Sequence, residues 1–373
     1  MTAAGTADIV ATGSVWPAPV PVSRPAPAGL APEPWPAYRL DEATQASLLP
    51  PERIKRMGRG QMMAIAAVKR ALDVCPEPPA RGGATAVSLG TAWAEEGDEI
   101  TFLQNLIERG EKGAKPAFFV NSVKNALASQ LALTFGFQGE NQTFAHDALS
   151  FESALWQGAW LLGAGRARHA IVCGVDALAS FQEIHGHLLG WYATDPAAVA
   201  PLASIPVAAG HRTLPGEGAA AFVLAPPGTR AGRLARLVGL RVRGPLRRSP
   251  VLSASDELAF LEQALREGGT RMDDIDLVLV GANGDSALDA VYVSIIAELR
   301  ARSSGTAVGV YRHVTGDFAT ASALAFDLAV RAADSGSLPA EVHVVEGAVR
   351  AVERVLLYHL TSAGYHSAII VSA

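Results

Sequence analysis

One segment, residues 141–178, constrains the fold more than any other part of the chain. It opens with a short strand-like stretch, turns at residues 145–149, and continues as a helix from about Ser150 to Leu162 that Gly165 ends. The apolar run HAIVCGVD then predicts a buried strand. A strand, a sharp turn, a helix and a buried strand make up a nucleophile elbow, where enzymes place a reactive side chain.

The turn of this elbow contains no nucleophile. It carries His146, Asp147, Ala148 and Leu149. Both cysteines lie elsewhere: Cys75 precedes a proline-rich stretch, and Cys173, inside AIVCGV, is predicted to be a small core residue. Two cysteines also exclude a disulfide framework and a cysteine-based zinc site.

Length and composition bound the class of protein. The 373 residues are enough for two core-forming units. A hydrophobic share of 49% against 18% charged residues indicates much buried or interfacial apolar surface, which favours an oligomer. The net charge of -5 gives no general attraction to nucleic acid. Since no apolar run reaches the ~18–20 residues of a membrane span and no signal-peptide pattern opens the chain, we expect a cytoplasmic protein.

Helices and strands alternate along most of the chain. Prolines exclude regular structure from much of residues 1–36, apart from a strand at 7–16. The patterns predict further helices at about 51–74, 100–109, 123–134, 255–267, 287–302 and 323–333, and strands at 85–93 and 216–225 and in ARLVGLRVRG, DLVLV, AVGV, EVHVVEG and SAIIVSA. Residues 226–232 are the best linker by composition. We therefore expect a proline-rich segment 1–36, an N-terminal half 37–230 and a similar C-terminal half 231–373, with GEGAAAFVLA and GYHSAIIVSA in equivalent places.

Three blocks of sequence resemble the β-ketoacyl synthases of the thiolase superfamily, in the order and spacing of that family. They are FVNSVKNALASQLALTFGFQGENQTF, the elbow with its helix and the following GAGRARHAIVCGVDAL, and LPGEGAAAFVLAPPG. The resemblance implies an α/β, thiolase-like fold of two similar α/β halves in a layered α-β-α-β-α arrangement. NSVKNALASQ followed by AHDALSF is most similar to chain-length-factor-like synthases of polyketide and aryl-polyene type pathways. Those proteins are degenerate relatives that commonly pair with an active synthase.

The same resemblance implies where catalytic residues would lie. In an active condensing enzyme an elbow cysteine carries the acyl chain, two histidines assist decarboxylation of a malonyl unit, and a lysine supports one histidine. Counted back from Gly165, the cysteine position falls on Ala148, or on Asp147 if the turn is one residue longer. The first histidine corresponds to Asn283, and the lysine and second histidine to Arg312 and Asp317, with His313 as a neighbour that could confuse the alignment. The family's Gly-Phe-Gly-Gly loop is replaced by TSAGYHSA, so every expected position is altered.

The residues left at these positions have both functional and structural interpretations. The candidates for any catalytic role are His146, Asp147, Asn283 and Asp317, and the candidates for lining a pocket are Ser150, Phe151, Asp285, Arg312 and His313. Asp147 or Ser150 could instead cap the helix, and Glu152 suits the positive end of the helix dipole. Asx turns explain Asn283 and Asp285 equally well. His185 and His187 alternate like strand or loop neighbours, but no metal site or cofactor is predicted.

Three functions fit these observations. The first is a chain-length-factor-like partner of an active ketosynthase subunit, acting with an acyl carrier protein in fatty acid or polyketide (polyene) biosynthesis, as a heterodimer or homodimer. The second is an enzyme that acts on acyl thioesters by acyl transfer, hydrolysis or decarboxylation with non-standard residues. The third is a carrier-protein docking module that uses Arg53, Lys55, Arg56 and Arg59, although such a charge run is more often a solvated helix face.

Overall fold

The computed structural model describes residues 5–18, 22–24, 35–50, 57–194, 213–228, 232–244, 254–302, 305–349, 351–361 and 364–373. The strands are β1 Ala7–Val15, β2 Val22–Arg24, β3 Trp35–Ala37, β4 Thr85–Gly90, β5 Asn141–Phe144, β6 His169–Asp176, β7 Gly218–Ala225, β8 Ala235–Arg243, β9 Leu277–Val280, β10 Ala307–Val310, β11 His343–Glu346, β12 Arg354–Leu360 and β13 His366–Ser372. The α-helices are α1 Glu42–Ser47, α2 Arg59–Val74, α3 Glu96–Arg109, α4 Pro116–Ser122, α5 Ala126–Phe135, α6 Ser150–Gly163, α7 Ser180–Leu188, α8 Ala254–Glu267, α9 Ser286–Arg302, α10 Arg312–Thr315 and α11 Ala321–Ser335.

Two sets of five strands repeat one topology. The N-terminal set is ordered β1-β7-β6-β4-β5 and the C-terminal set β8-β13-β12-β9-β10. In both, the first three strands pair antiparallel and the last three pair parallel. Antiparallel pairing of β1 with β8 joins the sets, and β11 extends the C-terminal edge, while β2 and β3 form a separate ribbon. The prediction of two similar α/β halves is confirmed, and the two segments predicted to be equivalent, β7 and β13, hold the same place in each order.

Strand residues alternate between separate cores. In β6, Ala170 and Val172 face one core, whereas Ile171 and Cys173 face another. Strand β9 divides in the same way, with Leu277 and Leu279 toward the shared core. Because successive strand side chains point to opposite faces, each half must be covered by helices on both sides. Helices α6 and α11 fill the shared middle layer, α2 and α5 cover the outer face of the N-terminal half, and α8 and α9 cover the other outer face. The predicted α-β-α-β-α layering is therefore confirmed.

Small residues let the middle layer approach the sheet. Helix α11 is rich in alanine, which favours helix formation and leaves little side chain between backbones. A Cβ atom on Gly174 would lie 2.6 Å from Cβ of Ala323, so a larger side chain there would displace the helix. The one charged residue on the inner side of α11, Asp327, accepts hydrogen bonds from Oγ1 of Thr12 (2.5 Å) and Oγ of Ser14 (3.1 Å). These bonds tie α11 of the C-terminal half to β1 of the N-terminal half.

Most predicted elements are present, but several observed elements were not predicted. The short strands β2 and β3 lie in or at the end of the segment from which prolines were expected to exclude regular structure, and helices α1 and α7 had no predicted counterpart. Strand β12 is absent from the prediction, because its run RVLLYHL lacks the alternation and the flanking glycine or proline that distinguish a buried strand from a helix segment. His185 and His187 lie on helix α7, so interpreting them as strand or loop neighbours was wrong. Two residues apart on a helix, they point to different sides. The predicted strand 85–93 ends at Gly90, where the chain turns toward α3.

Some predictions fall outside the described residues. Residues 51–56, which include Arg53, Lys55 and Arg56, are among them, and so is much of the predicted linker. Arg59 is described, and its guanidinium pairs with the buried carboxylate of Glu217. The proposed boundaries at 36 and 230 remain a prediction. In the portions of chain that are described, no helix has the length and apolar character needed to cross a membrane.

The carboxylate of Asp176 joins the two halves at the end of β6. Its Oδ1 accepts hydrogen bonds from Oγ1 of Thr91 (2.9 Å) and the backbone N–H groups of Ala92 (2.9 Å) and Trp93 (3.0 Å). Its Oδ2 accepts from the backbone N–H (3.1 Å) and Oγ1 (2.9 Å) of Thr320, which directly precedes α11. Asp176 is only 2% exposed, and this burial raises its pKa. One side chain therefore fixes the loop after β4, the end of β6 and the start of α11.

We predict that Asp176→Ala lowers the free energy of unfolding by about 3 kcal/mol or more, because several buried donors lose their acceptor at once. Thermal and urea unfolding of the purified variant would measure the loss. Asp73→Ala is the control, since Asp73 is exposed on α2 and its ion pair with Lys69 contributes little. Equal unfolding midpoints for the two variants would contradict the role assigned to Asp176.

Candidate functional site

The elbow turn is held in an unusual backbone conformation. Asp147 has a φ of 48°, a left-handed value that few residues other than glycine adopt and that aspartate tolerates better than most. The hydroxyl of Ser150 accepts a hydrogen bond from the backbone N–H of His146 (2.9 Å) and donates one to the backbone carbonyl of Asp147 (2.6 Å). Ser150 therefore locks the turn from a fully buried position, and the side chain of Asp147 is left exposed.

A glycine at the end of β4 brings the elbow close to the sheet. A Cβ atom on Gly90 would lie 2.4 Å from the carbonyl oxygen of Ser150, so only glycine fits there. Phe151, the next residue of α6, is fully buried and packs against Phe222 and Phe326, with ring centroids 5.8 Å and 5.7 Å away. The elbow is thus fastened to the sheet and to the middle layer of the fold.

A polar cavity of about 230 Å³ opens beside this turn. Its wall includes Asp147, Ala148, Asn283, Arg312, Asp317 and His359. Five of these six were candidates from the sequence, and the structure brings them together from both halves of the chain. The structure places the other pocket candidates, Ser150, Phe151, Asp285 and His313, outside this wall: the first two anchor the elbow, Asp285 caps α9, and His313 turns toward His343.

The cavity wall contains an ion pair between a buried guanidinium and a half-buried carboxylate. The guanidinium of Arg312, which is 2% exposed, pairs with Oδ1 of Asp317, and Nδ2 of Asn283 donates to Oδ2 of Asp317 (3.2 Å). Nη2 of Arg312 lies 2.6 Å from Nε2 of His359. Burial and the charge of Arg312 both lower the pKa of His359, so its neutral ring accepts the guanidinium hydrogen. Both oxygens of Asp317 and one face of Arg312 are therefore committed to partners.

The series of polar contacts continues from His359 into the core. Nδ1 of His359 lies 3.7 Å from Oε1 of Glu152, and Glu152 accepts a hydrogen bond from Oγ of Ser367 (2.9 Å). Glu152 is fully buried in the first turn of α6. Its position near the helix N-terminus fits the predicted dipole interaction. Glu152 also contacts His359, which lines the cavity.

The loop after β9 forms hydrogen bonds that fix its own turn, and it also contributes Asn283 to the cavity wall. Oδ1 of Asn283 accepts a hydrogen bond from the backbone N–H of Asp285 (3.0 Å), as in an Asx turn. Oδ1 of Asp285 accepts from the N–H groups of Ala287 (2.9 Å) and Leu288 (3.1 Å) and so caps α9. Asn283 uses its oxygen for the loop and its Nδ2 for Asp317, whereas Asp285 acts only within the loop.

The two neighbouring residues of the elbow, His146 and Asp147, face different surroundings. Nδ1 of His146 lies 3.3 Å from Oγ of Ser153, and its ring meets the edge of Tyr365 at a centroid distance of 5.6 Å. Asp147 faces the cavity, where desolvation and the negative charge of Asp317 raise its pKa. His146 is therefore oriented by groups outside the cavity.

Sequence reasoning missed His359 and four aromatic residues. His359 lies on the unpredicted strand β12. The aromatic residues Trp93, Trp191, Tyr192 and Phe318 line the polar cavity and also a second, mainly apolar cavity of about 240 Å³. The second cavity is bounded further by Phe181 and Leu189 near α7. The adjacent pair Trp191 and Tyr192, directly after a glycine, was the available sequence signal for an aromatic wall.

We predict that His313 makes the protein sensitive to mild acid. Burial and the nearby His343 lower the pKa of His313 to about 4. Because the unfolded chain protonates first, at about pH 6.5, stability is complete above that pH and falls as the pH drops toward 4. His313→Gln should therefore lose less stability between pH 7.5 and pH 5 than the natural protein, by about 2 kcal/mol.

Thermal unfolding at the two pH values measures this effect. His185→Gln, at an exposed histidine of α7, is the control and should change with pH as the natural protein does. An unchanged pH dependence in His313→Gln would show that the histidine titrates normally in the folded state.

Comparisons with known proteins agree with this architecture. A family model described as beta-ketoacyl synthase, N-terminal domain, matches residues 39–227. A comparison with curated proteins found no match. Three similar solved structures have identities too low to indicate more than the fold.

The first is the AntDE:AntF complex, a type II PKS acyl-carrier protein with its ketosynthase bound to the hexaketide: 14% identity, TM-score 0.79, covering 99% of this chain and 100% of that one. The second is the ishigamide ketosynthase/chain length factor: 17% identity, TM-score 0.76, 99% of both chains. The third is the ketosynthase ApeO with its chain length factor ApeC from Xenorhabdus doucetiae: 16% identity, TM-score 0.78, 99% of this chain and 98% of that one.

Because the family model spans about half of the chain and ketosynthase structures share the fold of nearly all of it, the chain belongs to the β-ketoacyl synthase family and has its thiolase-like fold.

Proposed function

We propose that this protein is a non-condensing member of its family that pairs with an active ketosynthase as a chain-length-factor-like subunit. It would act with an acyl carrier protein in the cytoplasmic synthesis of a polyketide or fatty acid, of the aryl polyene type on the strength of the sequence resemblance. The observation that carries the proposal is the ion pair of Arg312 and Asp317 with Asn283, at the positions to which the sequence resemblance assigns two histidines and a lysine.

These three residues are poorly suited to general acid–base work. An efficient proton carrier has a pKa near the working pH, whereas a guanidinium stays protonated and an amide does not titrate. Arg312 is also held on both sides, by Asp317 and by His359. The arrangement supports a fixed wall better than it supports proton transfer.

The chain also lacks an accessible thiol for an acyl-enzyme. Cys173 lies within β6, fully buried, and burial raises the pKa of its thiol to about 12. Cys75 is buried at the end of α2, far from the elbow in sequence. Since the thiolate is the nucleophile, neither residue can replace an elbow cysteine.

An exposed apolar surface supports the proposed pairing. Helices α3, α4 and α5 expose Leu103, Ile107, Phe119, Val120 and Leu133, with exposed fractions between 46% and 82%. The nearby edge strand β5 is paired on one side, with β4. A grouped apolar surface and an open strand edge are typical of a protein interface.

Structures similar to this chain support the same pairing. Two of them are complexes of a ketosynthase with a chain length factor, and one contains a ketosynthase with an acyl-carrier protein. The partners in these complexes are partners of those proteins. We propose that this chain binds partners of the same kinds.

A second function, an enzyme acting on acyl thioesters, keeps one observation in its favour. Asp147 faces the cavity with a raised pKa, on a strained turn of the kind found at active sites. In this case the protein alone would release free acid or CO2 from acyl or malonyl carrier-protein thioesters. Loss of that activity in Asp147→Asn or His146→Ala would favour the enzyme over the partner.

We predict that Val120→Asp abolishes co-purification with the proposed ketosynthase partner, because a buried charge in an apolar interface would lack a partner. The variant should keep its thermal midpoint, since Val120 is 61% exposed. Val74→Asp is the matched control: Val74 is 64% exposed but lies on α2, and this variant should still co-purify. Condensation should require both subunits. A chain that remains monomeric beside every ketosynthase tested, or that condenses alone, would contradict the proposal.

We also predict that Asp147, not Ala148, is the elbow position. A cysteine introduced by Asp147→Cys should be alkylated by iodoacetamide much faster than one introduced by Ala148→Cys, because Asp147 is exposed and Ala148 is 9% exposed. Mass spectrometry of digested protein separates these sites from Cys75 and Cys173. Asp147→Cys should take an acyl group from a thioester yet still not condense malonyl units. Faster labelling of Ala148→Cys would assign the elbow to that residue.

A further inference from the structure

We propose that the polar cavity admits neutral acyl groups and rejects acyl groups that end in a carboxylate, and that Asp147 is the residue that sets this selectivity. The inference deepens the proposed function by naming the chemistry of the group that a non-condensing subunit can hold. It rests on the charges that face the cavity and not on the identity of any partner.

The charged groups that the described residues bring to the cavity wall leave a net negative charge. Asp147 and Asp317 supply two carboxylates, and Arg312 supplies one guanidinium. His359 is uncharged because its pKa is lowered. On the core side of His359, the carboxyl group of Glu152 adds no positive charge. A second carboxylate brought in by a ligand would therefore meet like charge.

Among the described residues, Arg312 is the only cation of this wall, and its two terminal nitrogens are already engaged. Its Nη1 pairs with Asp317 and its Nη2 faces His359. Asn283, which could also donate a hydrogen bond, gives its Nδ2 to Asp317. The remaining nitrogen, Nε, has no hydrogen-bond partner in the described part of the chain but is buried away from solvent. To bind a new carboxylate through a terminal nitrogen, Arg312 would have to weaken its ion pair with Asp317 or its contact with His359, which is costly.

Asp147 differs from Asp317 because its carboxylate is exposed at the elbow. Asp147 and Asp317 both line the polar cavity, and desolvation together with the charge of Asp317 raises the pKa of Asp147. Two like charges a few ångströms apart near a protein surface repel by more than the energy of a tenfold change in affinity. Asp147 is thus the carboxylate whose removal changes selectivity without unpairing Arg312.

A neutral acyl group meets no such barrier. The walls shared with the apolar cavity, which include Trp93, Trp191, Tyr192 and Phe318, offer aromatic surface to an uncharged chain. A group with a ketone in place of the terminal carboxylate has nearly the same size as its acidic counterpart. Size therefore cannot explain a difference in binding between the two.

The test uses two amide-linked pantetheine analogues that cannot be hydrolysed, one malonyl and one acetoacetyl. Isothermal titration calorimetry with the full chain, in complex with its ketosynthase if the two co-purify, should show the acetoacetyl analogue binding at least about tenfold more tightly. Asp147→Asn should raise the affinity for the malonyl analogue by about tenfold and leave the acetoacetyl affinity unchanged. Asparagine suits the left-handed backbone of residue 147, so this variant should fold.

Asp73→Asn removes the same charge at an exposed position of α2 and should change neither affinity. If the ketosynthase of the complex binds an analogue at its own cysteine, the titration is repeated after alkylation of that cysteine. Equal affinities of the natural protein for both analogues, or no binding of the acetoacetyl analogue, would overturn the inference. Either result would leave co-purification with the ketosynthase, and hence the proposed function, to be judged separately.

Discussion

The carboxylate of Asp176 organises the region in which the two halves meet. Three donors come from the loop after β4, and two come from the residue before α11, so a single buried side chain fixes segments that are far apart in sequence. Trp93, which donates one of these bonds, lines both cavities. The shape of the site therefore depends on a group that performs no chemistry. A carboxylate is well suited to this task because its two oxygens can accept several bonds in different directions.

Burying Arg312 is expensive, and the structure offsets the cost with partners from several elements. Asp317 follows α10, Asn283 follows β9, and His359 lies on β12. An ion pair of this kind is weak evidence for stability, since apolar residues of similar volume could fill the space. Its persistence in the middle of a cavity wall is better explained by a need for a defined polar surface. The result is a site that retains polar groups while holding them in fixed hydrogen bonds.

The sequence predicted the frame more completely than the site. Long apolar patterns located most strands and helices, whereas the family resemblance led to Asn283, Arg312 and Asp317. The structure brings these three together because side chains at the ends of neighbouring strands converge. His359 was missed because β12 has no alternation to mark it. Phe151 was predicted to line a pocket, but the helical rotation of α6 turns it into the middle layer. The aromatic wall could not be derived from local pattern, since Trp93 and Trp191 are brought together by tertiary packing alone.

Because the strand order is duplicated, the two halves can differ in sequence at equivalent turns of the site. The turn before α6 and the turn before α11 occupy related places in the two halves, and each now carries an aspartate facing the cavity, Asp147 in one and Asp317 in the other. One is neutralised by a neighbour and the other is open to solvent. Two copies of one frame thus contribute residues to the wall of a single cavity. Each copy can differ at its turn while the sheet beneath it and the fold stay the same.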